Sequence, residues 1–174
     1  MKYLFITQNT VKIASIVIVV LGIFGCNQSP KNRLDNQISE DESKIRQIHK
    51  DYVNGWIDMN EEKVMGLLEE NSRIQPSGLC PIEGKVSIRE FWFPKDGSKT
   101  IINEFVTEII SLKIIDTIAV TTHNTLLLDW DYQIDSISFG MIQKTINTTV
   151  YRKQADKSWK IWRSMWTDIY AKRK

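Results

Sequence analysis

Two spacings of apolar residues divide this chain. Between Glu42 and Trp92 they recur at helical steps: Ile45, Ile48, Tyr52, Val53 and Trp56 on a first segment, Val64, Leu67 and Leu68 on a second, and Ile88, Phe91 and Trp92 on a third. Each stripe is one-sided, so each helix covers something. Asp58 or Asn60 can cap the second helix, Glu61 and Glu62 fall in its first turn where the helix dipole favours acids, and Asn71-Ser72 ends it. Arg73-Ile74-Gln75 reads as a short strand, and the prolines and glycines of residues 76–84 as an irregular loop.

After Pro94 and Gly97 the chain becomes strand-like. Residues 102–115, 118–132, 137–152 and 158–170 read as long strands, separated by Asp116-Thr117, by residues 133–136 and by a polar turn ending at Lys157. Sequential strands with short connections pair antiparallel. Helices followed by a four-stranded meander predict an α+β domain with helices packed on one face of a curved sheet. The last hairpin, residues 150–170, carries Trp159, Trp162 and Trp166, half of the six tryptophans. Strict alternation points Trp159, Ile161, Arg163 and Met165 one way, and Lys160, Trp162, Ser164, Trp166 and Asp168 the other. Both sets hold large apolar groups, so one face packs on helices while the other is covered or lines a cavity.

The first 26 residues follow different rules. Lys2 and Lys12 precede the run IASIVIVVLGIFG, whose 13 residues fall short of the roughly 20 that cross a bilayer as a helix. A basic start, a short apolar run and a boundary at Cys26 describe an export signal. Ile23-Phe24-Gly25-Cys26 resembles the bacterial lipobox, with Phe24 bulkier than the residue usual there; the resemblance implies cleavage after residue 25 and a lipid on Cys26. Residues 1–25 are thus expected as signal, 26–40 as the lipidated cysteine and a flexible polar tether, and 41–174 as the domain. The address is the bacterial cell envelope, outside the cytoplasm.

This reading alters the charge and cysteine arguments. The signal removes two of 23 basic residues and no acidic ones, leaving 21 of each, so the mature chain has no net charge and its composition gives no argument for binding nucleic acid, which wants a basic face. With Cys26 lipidated, Cys80 is the one thiol left. Its loop, Ser77-Gly78-Leu79-Cys80-Pro81, supplies neither base nor electropositive setting, so it reads as a small semi-buried apolar residue.

Two local patterns carry a resemblance. They are Ile82-Glu83-Gly84-Lys85 followed by Ile88, Phe91 and Trp92, and Tyr151-Arg152-Lys153-Gln154 followed by Asp156, Ser158-Trp159-Lys160-Ile161 and Met165-Trp166. In this order, after a helix bearing Tyr52 and Trp56, they resemble the SnoaL-like proteins of the domain-of-unknown-function 4440 group. These belong to the superfamily of nuclear transport factor 2 and ketosteroid isomerase. The resemblance covers residues 38–170 and implies a cone-shaped half-barrel of cystatin-like type, N-terminal helices lying in the concave face of a strongly bent, mainly antiparallel sheet. It also implies a cavity at one end and a possible homodimer through the sheet face. Where many relatives have an acid before Met-Trp this chain has Ser164, which weakens acid–base chemistry at that place.

The chemistry on offer is sparse. His123 has the proton-shuttle chemistry of an imidazole, but strand parity groups it with Thr121, Thr125, Leu127 and Asp129, the less apolar set, as a surface or rim residue. His49 is expected to be solvated. Asp129, Asp131 and Asp135 lack calcium-loop spacing and glycine, and no zinc spacing, nucleophile elbow, phosphate loop or dinucleotide pattern occurs, so no metal or cofactor is expected. Asp168 shares parity with Trp166 and could serve as a base beside apolar walls. Tyr52, Trp56, Trp92, Trp130, Trp162 and Trp166 have the composition of an apolar pocket with polar tips, or of a core. Two functions follow: a membrane-anchored domain binding a small apolar or amphipathic molecule, and an acid–base enzyme in the manner of ketosteroid isomerase. In the second, Asp168 or His123 takes a proton and Tyr52 or Tyr132 steadies an oxyanion.

Overall fold

The computed structural model describes residues 30–174; the apolar run and Cys26 lie outside the described residues. Helix α1, Pro30–Ile57, begins well before the apolar stripe, so the stretch expected as tether up to residue 40 is helical from Pro30. Proline is well suited to a first helical turn, whose N–H groups have no intrahelical partner. Residues 35–40 are all exposed, which is why no apolar period announced them. From Asp41 the stripe is used: Ile45 is fully buried, and Ile48 and Tyr52 pack against the core.

The chain reverses at Met59, whose φ is 46°, and Asn60 caps helix α2, Glu61–Gly66, by accepting the Lys63 N–H at 2.9 Å. Gly55 lets the two helices meet, since a Cβ there would lie 2.9 Å from Val64 Cγ2. Helix α2 stops at Gly66, earlier than its pattern suggests. Leu68 opens strand β1, Leu68–Gln75, and Asn71-Ser72 lies within that strand rather than ending a helix. Tertiary pairing overrides the local period here. Strand β1 runs parallel to the last strand, matching Leu68 with Ile161 and Ile74 with Ser164, and buried Ser72 donates its hydroxyl to Ile161 O at 2.6 Å.

Strand β2, Ile82–Glu83, edges β1 and leads into helix α3, Lys85–Trp92. Then come β3, Lys99–Ile115; β4, Ile118–Ile134; β5, Ile137–Lys153; and β6, Trp159–Arg173. The sheet has six strands in the order β2-β1-β6-β5-β4-β3, so the expected antiparallel meander is present and β1 extends it through the one parallel pair.

Four long strands of 15 to 17 residues in unbroken alternation would each keep one set of side chains inward from end to end. Bulges prevent this. In β3, Asn103 and Ile110 are each an extra residue against β4; Leu126 or its neighbour is extra in β4 against both flanking strands; Trp162 and Ile169 are extra in β6 against β5. Each bends its strand and reverses the facing of the residues beyond it. The core of Ile45, Met65, Leu68, Ile74, Ile88, Ala119, Tyr151, Trp159 and Ile161 lies between the helices and one end of the bent sheet.

One polar contact is built into that core. Asp41 on α1 accepts from Trp159 Nε1 at 2.9 Å and from Lys153 Nζ at 2.6 Å, with side chains of Asp41 and Lys153 only 6% and 13% exposed. Burial pushes the Asp41 carboxyl upward, but the Lys153 ammonium and the Trp159 N–H outweigh it and hold the group below its ordinary range. Asp41→Ala would leave a buried ammonium unpaired, and we expect it to cost about 3 kcal/mol in equilibrium urea unfolding at pH 7. Because the folded carboxyl titrates below the unfolded one, its contribution is complete above the unfolded value of about 3.9 and fades as pH falls through the folded value. The gap between wild type and variant should therefore narrow only in that acid range.

Candidate functional site

Beyond the core the sheet and α1 diverge around a cavity of about 410 Å³, a volume suited to a small organic ligand. One wall is aromatic. Tyr52 and Trp56 on α1 meet Trp92 of α3 edge to face at 6.2 and 5.2 Å, and Phe93 stacks on Trp56 at 5.2 Å. Phe91 lines the cavity while 43% exposed, which puts it at the rim.

The facing wall comes from β4, β5 and β6 and is polar in two rows set by register. One row is His123, Asn147, Trp166; the next is Thr125, Thr145, Asp168. Asn147 knits them together, its amide donating to Thr145 Oγ1 at 2.8 Å and to Thr125 Oγ1 and His123 O at 3.2 Å. Beyond lie Thr149 and Ser164, their hydroxyls 3.4 Å apart. Further out, Trp130 Nε1 donates to Gln143 Oε1 at 2.5 Å. These positions are inward because β5 alternates without a break from Gln143 to Thr149, whereas β4 and β6 change facing at their bulges.

The bulges correct two expectations. On β4 both His123 and, past the bulge, Leu128, Trp130 and Tyr132 face the cavity, so His123 is buried at 8% exposed rather than on a surface or rim. On β6 the extra residue is Trp162, which leaves the cavity altogether. Its ring lies between the guanidinium groups of Arg152 and Arg163, at 4.4 and 4.2 Å, while Arg152 also holds Glu69 through two N–H donors. Ser164, Trp166 and Asp168 then join Ile161 on the inner side. Of the aromatic set read from sequence, Tyr52, Trp56, Trp92, Trp130 and Trp166 line the cavity and Trp162 does not.

His49 is also displaced from expectation. It lies in the cavity wall, its Nε2 2.8 Å from Thr107 Oγ1 and its ring edge-on to His123 with centroids 4.7 Å apart. Burial lowers the affinity of both rings for protons; His123, with His49 beside it as a second cause, is held down to about 3. Both are therefore neutral at physiological pH. No carboxylate pairs with either among the described residues. Asp168 stands two strands from His123, roughly 10 Å away at ordinary strand spacing. Its Oδ1 is buried without a hydrogen-bond partner, and its backbone N–H donates to Ser77 Oγ at 3.1 Å. Burial raises the phenols of Tyr52 and Tyr151, the latter to about 12, so they remain donors.

Outside the cavity, Asp129 and Asp131 are held by two side chains. Lys174 bridges them at 2.5 and 2.9 Å and Asn103 donates to both, which holds both carboxyls below their usual range. Cys80 is exposed rather than semi-buried, because the loop that carries it turns its tip outward.

No family model and no curated protein matches the chain. Solved structures do. A ketosteroid isomerase-like protein from Erwinia carotovora atroseptica SCRI1043 superposes with a TM-score of 0.61 at 13% identity, over 74% of this chain and 95% of its own. A nuclear transport factor 2-like protein with a cystatin-like fold from Novosphingobium aromaticivorans gives 0.56 at 12% identity, over 82% and 92%. A type 2 hexachlorocyclohexane dehydrochlorinase gives 0.64 at 11% identity, over 80% and 93%. The fold is the α+β cone of nuclear transport factor 2-like, cystatin-like proteins.

The neutral histidines have a measurable consequence. Unfolded imidazoles bind protons below about pH 6.5, while folded His123 stays neutral to about pH 3. Between those values the unfolded state holds more protons, so stability must fall as pH drops from 6.5, by up to about 1.4 kcal/mol per pH unit for this ring. Chemical denaturation from pH 7 to 4 should show that slope, and His123→Gln should flatten it.

Proposed function

We propose that residues 41–174 bind a small amphipathic molecule, and that a lipid on Cys26 holds the domain at the bacterial cell envelope, outside the cytoplasm. The observation that carries the binding reading is the two-sided cavity. An aromatic wall from α1 and α3 can bury an apolar body, and across from it Asn147, the threonines and Ser164 can orient polar groups without a charged dyad. The sequence pattern ending at Cys26 supports the anchor, and the motif order from Ile82 to Trp166 supports a place among the SnoaL-like proteins.

A second reading has one observation in its favour. Asp168 lines the cavity with no cation paired to it among the described residues, as a general base would, with Tyr132 or Tyr52 available to donate to an oxyanion. The names of two solved structures of this fold, ketosteroid isomerase-like and dehydrochlorinase, fit such chemistry. His123 is the poorer base, since a group held near 3 takes a proton weakly at neutral pH.

Native mass spectrometry of the purified protein should reveal a co-purifying small-molecule adduct. Trp166→Ala, with the fold intact, should weaken its retention by about 10- to 100-fold, the affinity equivalent of losing a buried aromatic contact. A clean mass that persists after challenge with apolar metabolites would overturn the binding reading. Catalysis would register as Asp168-dependent deuterium exchange at a carbon of the adduct in heavy water. The anchor is tested separately: Cys26→Ala should move the protein from the membrane to the soluble fraction and abolish the lipid mass on its N-terminal peptide.

A further inference from the structure

The charges around the cavity are lopsided. Among the described residues that line it there is one carboxylate, Asp168, and neither lysine nor arginine, and the two histidines are neutral. An anionic ligand would enter an apolar space that already holds a negative group and offers no cation to pair with it. A neutral ligand would leave the Asp168 carboxylate, one oxygen of which is buried and unpartnered, with no countercharge. A ligand carrying a positive charge removes both difficulties.

The surroundings of Asp168 favour the same answer. Trp166 shares its inner face two residues earlier on β6, and Trp56, Trp92 and Tyr52 supply further ring surface across the cavity. Aromatic faces attract ammonium groups, most strongly where water is excluded. An acidic acceptor among several aromatic rings is a suitable receptor for a protonated amine on an apolar body.

Resting on the binding function proposed above, we propose that this cavity selects a cationic amphipath, an amine whose N–H donates to the Asp168 carboxylate while its charge lies against Trp166 and its apolar part packs on the wall formed by Trp56 and Trp92. The alternating row Thr145, Asn147 and Thr149 then meets any hydroxyl or carbonyl the body carries.

Three probes with one body test this: 4-phenylbutylamine, 4-phenylbutan-1-ol and 4-phenylbutanoate, titrated calorimetrically into the purified protein at pH 7. The amine should bind at least about tenfold more tightly than the alcohol, given a charge-assisted hydrogen bond and a cation over aromatic rings, and the carboxylate should bind most weakly. Asp168→Asn should erase the amine's advantage, bringing the ratio of amine to alcohol affinity close to one. An alcohol or carboxylate that binds unmodified protein as tightly as the amine overturns the charge selection and leaves the binding cavity standing, with no variant required. An amine preference that survives Asp168→Asn overturns the assignment to Asp168. Failure of all three probes to bind overturns both the selection and the cavity's role as a receptor.

Discussion

Everything that makes the inside of this domain different from its outside depends on the bulges. A strand of 17 residues in strict alternation has one inner face from end to end. The extra residues in β3, β4 and β6 bend the sheet around the helices and swap which side chains look inward. Below the bulge in β6 the inner residues are Trp159 and Ile161, which fill a core; above it they are Ser164, Trp166 and Asp168, which line a cavity. The same strand does two jobs because its register slips once in between.

Helix α1 is matched to this division. Along one stripe it presents Asp41 and Ile45 to the packed end, then His49, Tyr52 and Trp56 to the cavity. Asp41 fixes the axial position of that stripe by tying it to the two strands of the last hairpin through Lys153 and Trp159. A shift of the helix by one turn would bring polar groups of the wrong kind against each wall. The buried ion pair thus joins one position of the helix to two neighbouring strands. Farther along the helix, the meeting of Tyr52 and Trp56 with Trp92 and Phe93 makes the aromatic wall continuous between α1 and α3.

Much of the fold was legible because its signals are local. Helical spacing placed Ile45, Tyr52 and Ile88 on buried faces, Asn60 was a readable cap, and the turns at Asp116 and Asp135 separated three long strands. What was not legible is nonlocal. The parallel pairing of β1 with β6 turned Leu68 and Ser72 into strand residues, although the local period ran on as helix. His123 and Trp162 were placed on the wrong sides because alternation was extended across bulges that have no glycine or proline to mark them. The polar wall was half visible. Thr145, Asn147, Thr149 and Tyr151 alternate on β5 as a hydroxyl and amide face, and that pattern could have been read as an interior had polar not been equated with exposed.

The bulge at Trp162 separates two kinds of change that the domain could undergo. Exchanging Ser164, Trp166 or Asp168 for another residue alters one contact in the cavity and leaves its neighbours where they are. Deleting the extra residue Trp162 would instead restore strict alternation, keeping all three inward but removing the bend between core and cavity, and deleting one residue between Ser164 and Asp168 would turn those beyond it outward. The specificity of the cavity is therefore open to point substitution and closed to insertion or deletion along β6. A library meant to retarget this domain should vary letters in that strand and hold its length constant.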